Sequence, residues 1–214
     1  MGRMASGRVL HTLQALSRLP SPGPAPAFTH VHVTEAILTI GDVRQIGRIE
    51  LSRRLGMGEG ATRTIIKHLM QANVVTIAKD GCVLTKRGAL LYNSLRSRVS
   101  KVFTVDGRQL ALDKVCAAVL VKASGRLVKR GIEQRDAAMR AGATGACTLI
   151  FQGREFVMPM SEAEEWKLNA DDTLFQELKS SFAPKGDDVV VISSAPDKIL
   201  AEHGAMAAAL TLMA

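Results

Sequence analysis

The chain has 214 residues, 47% of them hydrophobic, and 28 Lys and Arg stand against 20 Asp and Glu for a formal charge of +8. That length holds one domain or two small ones, and the apolar content excludes a disordered chain or a disulfide scaffold. The three cysteines, Cys82, Cys116 and Cys147, are scattered without a CxxC pair, which argues against a structural metal site and for a reducing, cytoplasmic setting; no apolar run approaches the roughly 18 residues that span a bilayer.

The charge is unevenly distributed. Residues 1–31 carry three arginines and no acid, residues 32–98 carry eleven basic against five acidic residues, and residues 99–214 carry fourteen against fifteen. The surplus therefore sits on the first half, as phosphate binding requires; an ordinary solvated basic surface is the plainer alternative. Residues 1–27 read as a flexible leader, with Arg3, Arg8 and Arg18 followed by an extended Pro20–Pro26 spacer. Such a leader suits an arm that touches phosphates or an organellar transit segment, or it arises from an upstream start, with Met4 as another candidate.

Residues 28–99 read as one domain. Val33, Ala36, Ile37 and Ile40 recur at helical spacing, and Gly41 is expected to end that helix. A second helix spans about Ile49 to Leu55 and buries Leu51 and Leu55. Gly56 and Gly58 supply a left-handed turn. A third helix then runs from about Glu59 to Ala72, with Ala61, Ile65, Leu69 and Ala72 on one arc and Ile66 at its edge. Its opposite face holds Gly60, Arg63, Thr64, Lys67 and Gln71, which offer charge, hydrogen bonds and close approach to a groove. Asn73 reads as a C-cap, and Val75–Lys79 and Cys82–Thr85 as the strands of a hairpin turning at Asp80-Gly81. Lys79 at the tip is placed for a phosphate or the minor groove. Thr85 caps a helix from Lys86 to about Val99, whose Leu90, Leu91 and Leu95 suit the core or a second subunit. Helix, turn, helix, hairpin and helix in this order make a winged helix-turn-helix, a module that commonly places one helix in the DNA major groove.

Residues 100–214 are nearly neutral. Val102–Val105 suggests an edge strand, Val115–Val121 a buried strand, and Arg126–Ala141 a helix stopped by Gly142. Ala146–Phe151 and Arg154–Met158 make a hairpin through Gln152-Gly153. Glu162 to about Phe182 reads as a long acidic helix, Asp188–Ser193 as a strand and Pro196–Met213 as a final helix. The order predicts an α+β fold overall: the winged helix-turn-helix, then a ferredoxin-like βαββαβ domain with an extra C-terminal helix. On the Arg126–Ala141 helix, Asp136 falls on the apolar arc of Val128, Ile132 and Met139, where a carboxylate must be paired. A structural polar network accounts for that. A small-molecule effector pocket using Glu133, Arg135 and Asp136 with the Gly142–Gly145 loop is the functional alternative.

The sequence holds no P-loop, GxGxxG, HExxH or GxSxG, so no catalytic role, cofactor or metal is assigned. His30 and His32 lack ligand partners at a useful spacing, His11, His68 and His203 are isolated, and Trp166 reads as a packing anchor.

The stretches Gly47–Leu51, Gly56–Arg63, Ile132–Ala138 and Ala141–Ala146 resemble an uncharacterised archaeal family with a winged helix-turn-helix and a C-terminal domain of unknown function. The resemblance runs from about Phe28 onward and implies a DNA-binding transcription regulator, without ligand or catalytic residues to transfer. The domain order is also similar to the feast/famine regulators, whose ferredoxin-like domains bind amino acids and oligomerise; that parallel is architectural. The sequence thus predicts a homodimeric regulator of double-stranded DNA, with no membrane partner and with residues 100–214 for oligomerisation and effector sensing. A small-molecule transferase or kinase fused to a winged helix, or a protein-interaction module, are the other classes.

Overall fold

A computed structural model describes residues 2–18, 28–110, 112, 115–160 and 165–213; the Pro20–Pro26 spacer and Glu162 lie outside the described residues. The chain divides into two compact units, Met1–Arg96 and Ser97–Ala214.

In the first unit, a helix α1 (Gly2–Ser17) occupies most of the segment read as a flexible leader, and its Leu13 is fully buried. Helix α2 (His30–Val43) begins at Thr29, whose Oγ1 accepts from Val31 N at 3.3 Å while Thr29 N donates to His32 Nδ1 at 3.1 Å. His32 therefore serves a cap. Gly41 does not end this helix, which runs on to Val43. Its lack of a side chain serves packing instead: a Cβ there would lie 2.2 Å from the Tyr92 ring.

Helix α3 (Arg48–Arg54) and Leu55 bury Leu51 and Leu55 as the spacing predicts. Gly56 takes the left-handed turn at φ 60°, whereas Gly58 is an extended N-cap at φ −64° and corrects that part of the reading. Helix α4 (Glu59–Gln71) follows, and Asn73 closes its end at φ 55°. Strands β1 (Val75–Ala78) and β2 (Gly81–Leu84) pair antiparallel with Ala78 opposite Gly81, so the turn is Lys79-Asp80, one residue earlier than the Asp80-Gly81 signal implies. Gly81 is used differently. At φ 139°, a Cβ on it would stand 2.3 Å from the Ile46 carbonyl oxygen. Its absence lets Ile46 and Cys82 exchange two backbone hydrogen bonds of 3.1 and 2.8 Å, which ties the hairpin to the chain before α3. Helix α5 (Lys86–Arg96) starts at Thr85, whose Oγ1 accepts from Gly88 N at 3.1 Å. It buries Leu95 and leaves Leu90 exposed.

The second unit contains β3 (Phe103–Val105), β4 (Val115–Val121), α6 (Ile132–Arg140), β5 (Gly145–Phe151), β6 (Phe156–Pro159), β7 (Glu165–Leu168), α7 (Thr173–Phe182), β8 (Val189–Ala195) and α8 (Lys198–Thr211). Its sheet runs β3-β4-β8-β5-β6-β7, antiparallel at every neighbour. β4 and β5, joined through α6, are thus split by β8. A ferredoxin-like order wedges in the strand after β5; here the last strand enters the centre and β5-β6-β7 continues as a meander, which corrects that expectation. Alternate residues of β4, β8 and β5, among them Ala118, Leu120, Val190, Ile192, Leu149 and Phe151, join Leu174, Phe175 and Leu178 of α7 in one core. Helices α6 and α8 cover the other face. Burial on both faces explains why these strands read as near-continuous apolar runs.

Two helix expectations fail here. The described part of the predicted acidic helix is β7 followed by α7, because Trp166 and Leu168 both turn to the core while Asn169 and Asp172 form a turn. Of the expected Arg126–Ala141 helix only Ile132–Arg140 forms; Gly125–Leu127 is a short 3-10 turn, Val128 is extended, and α6 begins after Gly131, left-handed at φ 73°, where a Cβ would come 3.2 Å from Thr148.

Candidate nucleic-acid interface

Helix α4 faces inward through Thr62, Ile65, Ile66, His68 and Leu69. That inner arc takes in Thr62, Ile66 and His68 beside the expected Ile65 and Leu69, while Ala61 and Ala72 are half-buried. At 100° per residue the centre of the opposite side lies close to Lys67, with Arg63 to one side and Gly60 and Gln71 to the other. Gly60, Arg63, Lys67 and Gln71 are all exposed there. Thr64 is half-buried on the flank, and its hydroxyl donates to the Gly60 carbonyl at 3.1 Å. It therefore contributes less to the outer surface than its phase alone suggests. Glu59 and Met70 share that surface and were missed, although the same phase angles place them there.

The basic surplus is not equally available. Arg48 pairs with Glu59 at 3.1 Å, and Glu50 holds both Arg53 at 2.6 Å and Arg54 at 2.7 Å. The two guanidinium hydrogen bonds hold the Glu50 carboxyl below its usual range. Among the described residues Arg63 and Lys67 form no ion pair, so α4 presents two uncommitted cations side by side. The hairpin adds Lys79, exposed at its turn beside Asp80, with Thr76 and Ile77 exposed on β1. Close to α1, burial, reinforced by the charge of Arg18, pushes His30 below the usual histidine value.

The residues read as an effector site are spread out. Glu133 and Arg135 are exposed on α6, and Asp136 is half-exposed and paired with its neighbour Arg135 at 3.5 Å. Asp136 is therefore not the buried group of this helix. Gln134 is, at 2% exposure, with its Nε2 donating to Thr211 Oγ1 at 2.8 Å. The phase was misjudged because Ile132 and Met139 face solvent while Gln134 and Ala138 face α8. Gly142, at φ 100°, packs against Leu200, and Thr144 N donates to the Ser194 carbonyl at 2.8 Å, binding the Gly142–Gly145 loop to the end of β8. Glu133 and Gly142 stand at opposite ends of α6, about 13 Å apart along its axis, so the structure does not gather these residues. A buried carboxylate of this unit, Asp188, accepts from Ala123 N at 2.8 Å and Lys185 N at 2.9 Å and clamps the loop before β8. Among the described residues no His, Cys, Asp and Glu group could hold a metal, and no helix is long and apolar enough to cross a membrane.

The first unit has the element order of a winged helix-turn-helix, and the second is an antiparallel sheet with helices on both faces. A family model described as a domain of unknown function (DUF4443) matches residues 112–212, within the second unit. The hypothetical protein PH0730 from Pyrococcus horikoshii OT3 superposes with a TM-score of 0.59 at 25% identity, over 82% of this chain and 90% of that one. That likeness extends over both units. A MarR family protein, Rv2887 from Mycobacterium tuberculosis, aligns at 18% identity and a TM-score of 0.31 over 45% of this chain and 63% of that one. At that level the winged-helix assignment rests on the chain's own elements. No curated protein matches the chain.

Proposed function

We propose that the chain is a transcription regulator that reads double-stranded DNA through α4. The observation that carries this reading is the solvent face of α4, where Arg63 and Lys67 stand uncommitted between Gly60 and Gln71. Arg63 is the base-reading residue, since a guanidinium suits the paired acceptors of guanine, and Gln71 offers an amide of the kind that pairs with adenine. Lys67 and, from the hairpin turn, Lys79 supply phosphate contacts that position the protein without reading sequence. In this reading the protein works as a homodimer, with two α4 helices about 34 Å apart on successive major grooves. The second unit carries oligomerisation and the response to a small-molecule effector, and no catalysis is assigned to it.

Selection of duplexes from a randomised pool, followed by affinity measurements across a salt series, tests the proposal. Arg63→Ala is expected to weaken specific binding by about 1–3 kcal/mol with little change in non-specific binding, and Lys79→Ala to weaken both alike and lower the salt slope by about 1. DNA binding that is absent, or insensitive to salt, defeats the reading.

A further inference from the structure

Helix α4 carries one buried ring that the DNA-reading face does not use. His68 is 6% exposed, and its Nδ1 lies 3.0 Å from the carbonyl oxygen of Leu16 in the last turn of α1. A carbonyl can only accept, so Nδ1 carries the proton and donates. The acceptor is one of the carbonyls that a helix end leaves without an intrahelical partner. Nε2 is buried with no hydrogen-bond partner among the described residues. Phe28 meets the ring edge-on, with centroids 5.5 Å apart, and Leu13 of α1 is wholly buried. The ring is thus held by a hydrogen bond from one side and an aromatic contact from another.

Its place on the helix gives this contact a consequence. His68 follows Lys67 and lies about 100° around the axis from it, and about 140° from Arg63. It holds neither the DNA-facing side nor the centre of the core side, but the flank between them. A group fixed on the flank resists rotation of the helix about its own axis, which centrally buried apolar residues such as Ile65 resist less. A roll of about 10° moves a side-chain end about 6 Å from the axis by about 1 Å, enough to spoil a two-pronged hydrogen bond to a base edge.

We propose that His68 is a positioning residue for DNA recognition, and that α1, through the Leu16 carbonyl, sets the roll angle at which α4 presents Arg63 and Gln71. This rests on the DNA-binding reading above. It assigns to residues outside the helix-turn-helix, beyond the Pro-rich spacer in sequence, a part in specificity without any contact to a base.

Full-length wild type, His68→Leu and His68→Asn are compared on a duplex selected by the wild-type chain from a randomised pool and on a scrambled duplex, with thermal unfolding recorded in parallel. Asparagine keeps a donor near the Nδ1 position; leucine removes it at similar bulk. His68→Leu is expected to lose about tenfold in affinity for the selected duplex while staying within about twofold on the scrambled one, and His68→Asn to recover most of the loss. If His68→Leu does not fold, Leu13→Ala, which loosens α1 without altering α4, is expected to give the same selective loss. Wild-type discrimination retained by both His68→Leu and Leu13→Ala overturns the positioning role alone, as does a loss that falls equally on both duplexes. A wild-type chain that selects no duplex overturns the DNA-binding reading and the positioning role with it.

Discussion

Replacing Gly81 by alanine tests how the hairpin is joined to the helix-turn-helix. The backbone at φ 139° is a conformation that only glycine adopts freely, and an L-residue there costs about 1–3 kcal/mol. The added Cβ would also stand 2.3 Å from the Ile46 carbonyl oxygen, a backbone atom without a rotamer to escape into. Separating the two segments breaks the Ile46–Cys82 pair of hydrogen bonds at 3.1 and 2.8 Å, each worth about 0.5–1.5 kcal/mol net. Together these come to about 4 kcal/mol, a large share of the 5–15 kcal/mol that a domain commonly has. For a unit of this size the midpoint falls by roughly 15–30 °C. The assay follows from composition: the single Tyr is Tyr92 in the first unit and the single Trp is Trp166 in the second. Near-ultraviolet signals can therefore follow the two units separately during heating. The expected result is an early Tyr92 transition with the Trp166 transition unmoved. A Tyr92 midpoint within about 3 °C of wild type would refute the account of Gly81.

Three further outcomes follow from buried or shifted polar groups. Asp188→Ala removes a carboxylate that accepts two backbone N–H groups and is expected to destabilise the second unit by about 2–4 kcal/mol in urea unfolding followed by Trp166 fluorescence. Gln134→Leu is expected to be neutral or stabilising by about 1 kcal/mol in the same assay: the Oε1 it deletes is buried without a partner, and Thr211 keeps its own bond to the Ala208 carbonyl. His30 has a folded-state pKa below its ordinary 6.5, so the unfolded state takes up the proton first as pH falls. The contribution of His30 to the stability of the first unit should be level above pH 6.5 and decline below it until the folded-state value is passed. Chemical unfolding of His30→Gln across that range should show a shallower decline than wild type.

How far the sequence could be read depended on whether a signal had one physical cause or two. Helices α3 and α4 were legible because an apolar period of 3.6 and a glycine at the turn point the same way. The outer face of α4 followed from that period, and Arg63, Lys67 and Gln71 lie where it puts them. Glycine misled wherever it served close packing: Gly41 makes room for Tyr92 and Gly81 for Ile46, yet each reads as a local stop or turn. Helix α6 inverted because its buried side is made of alanine and Gln134, while the bulkier Ile132 and Met139 face water. Strands β4, β5 and β8 were recognisable as apolar runs, but their neighbours were not, since pairing depends on connections that no single segment encodes.

The central place of β8 sets an order of events during synthesis. β4 and β5 both hydrogen-bond to β8 along most of their lengths, and β8 begins at Val189, far along the chain from β4. A ribosome adding about 5–20 residues per second delivers β8 several seconds after β4 has emerged. Through that interval the β3-β4 hairpin and the β5-β6-β7 meander can form by local contacts, but each carries an open apolar edge. The winged helix, built from neighbouring elements, has no such wait. In the nascent second unit the apolar edges of β4 and β5 therefore wait for a partner strand that is made last.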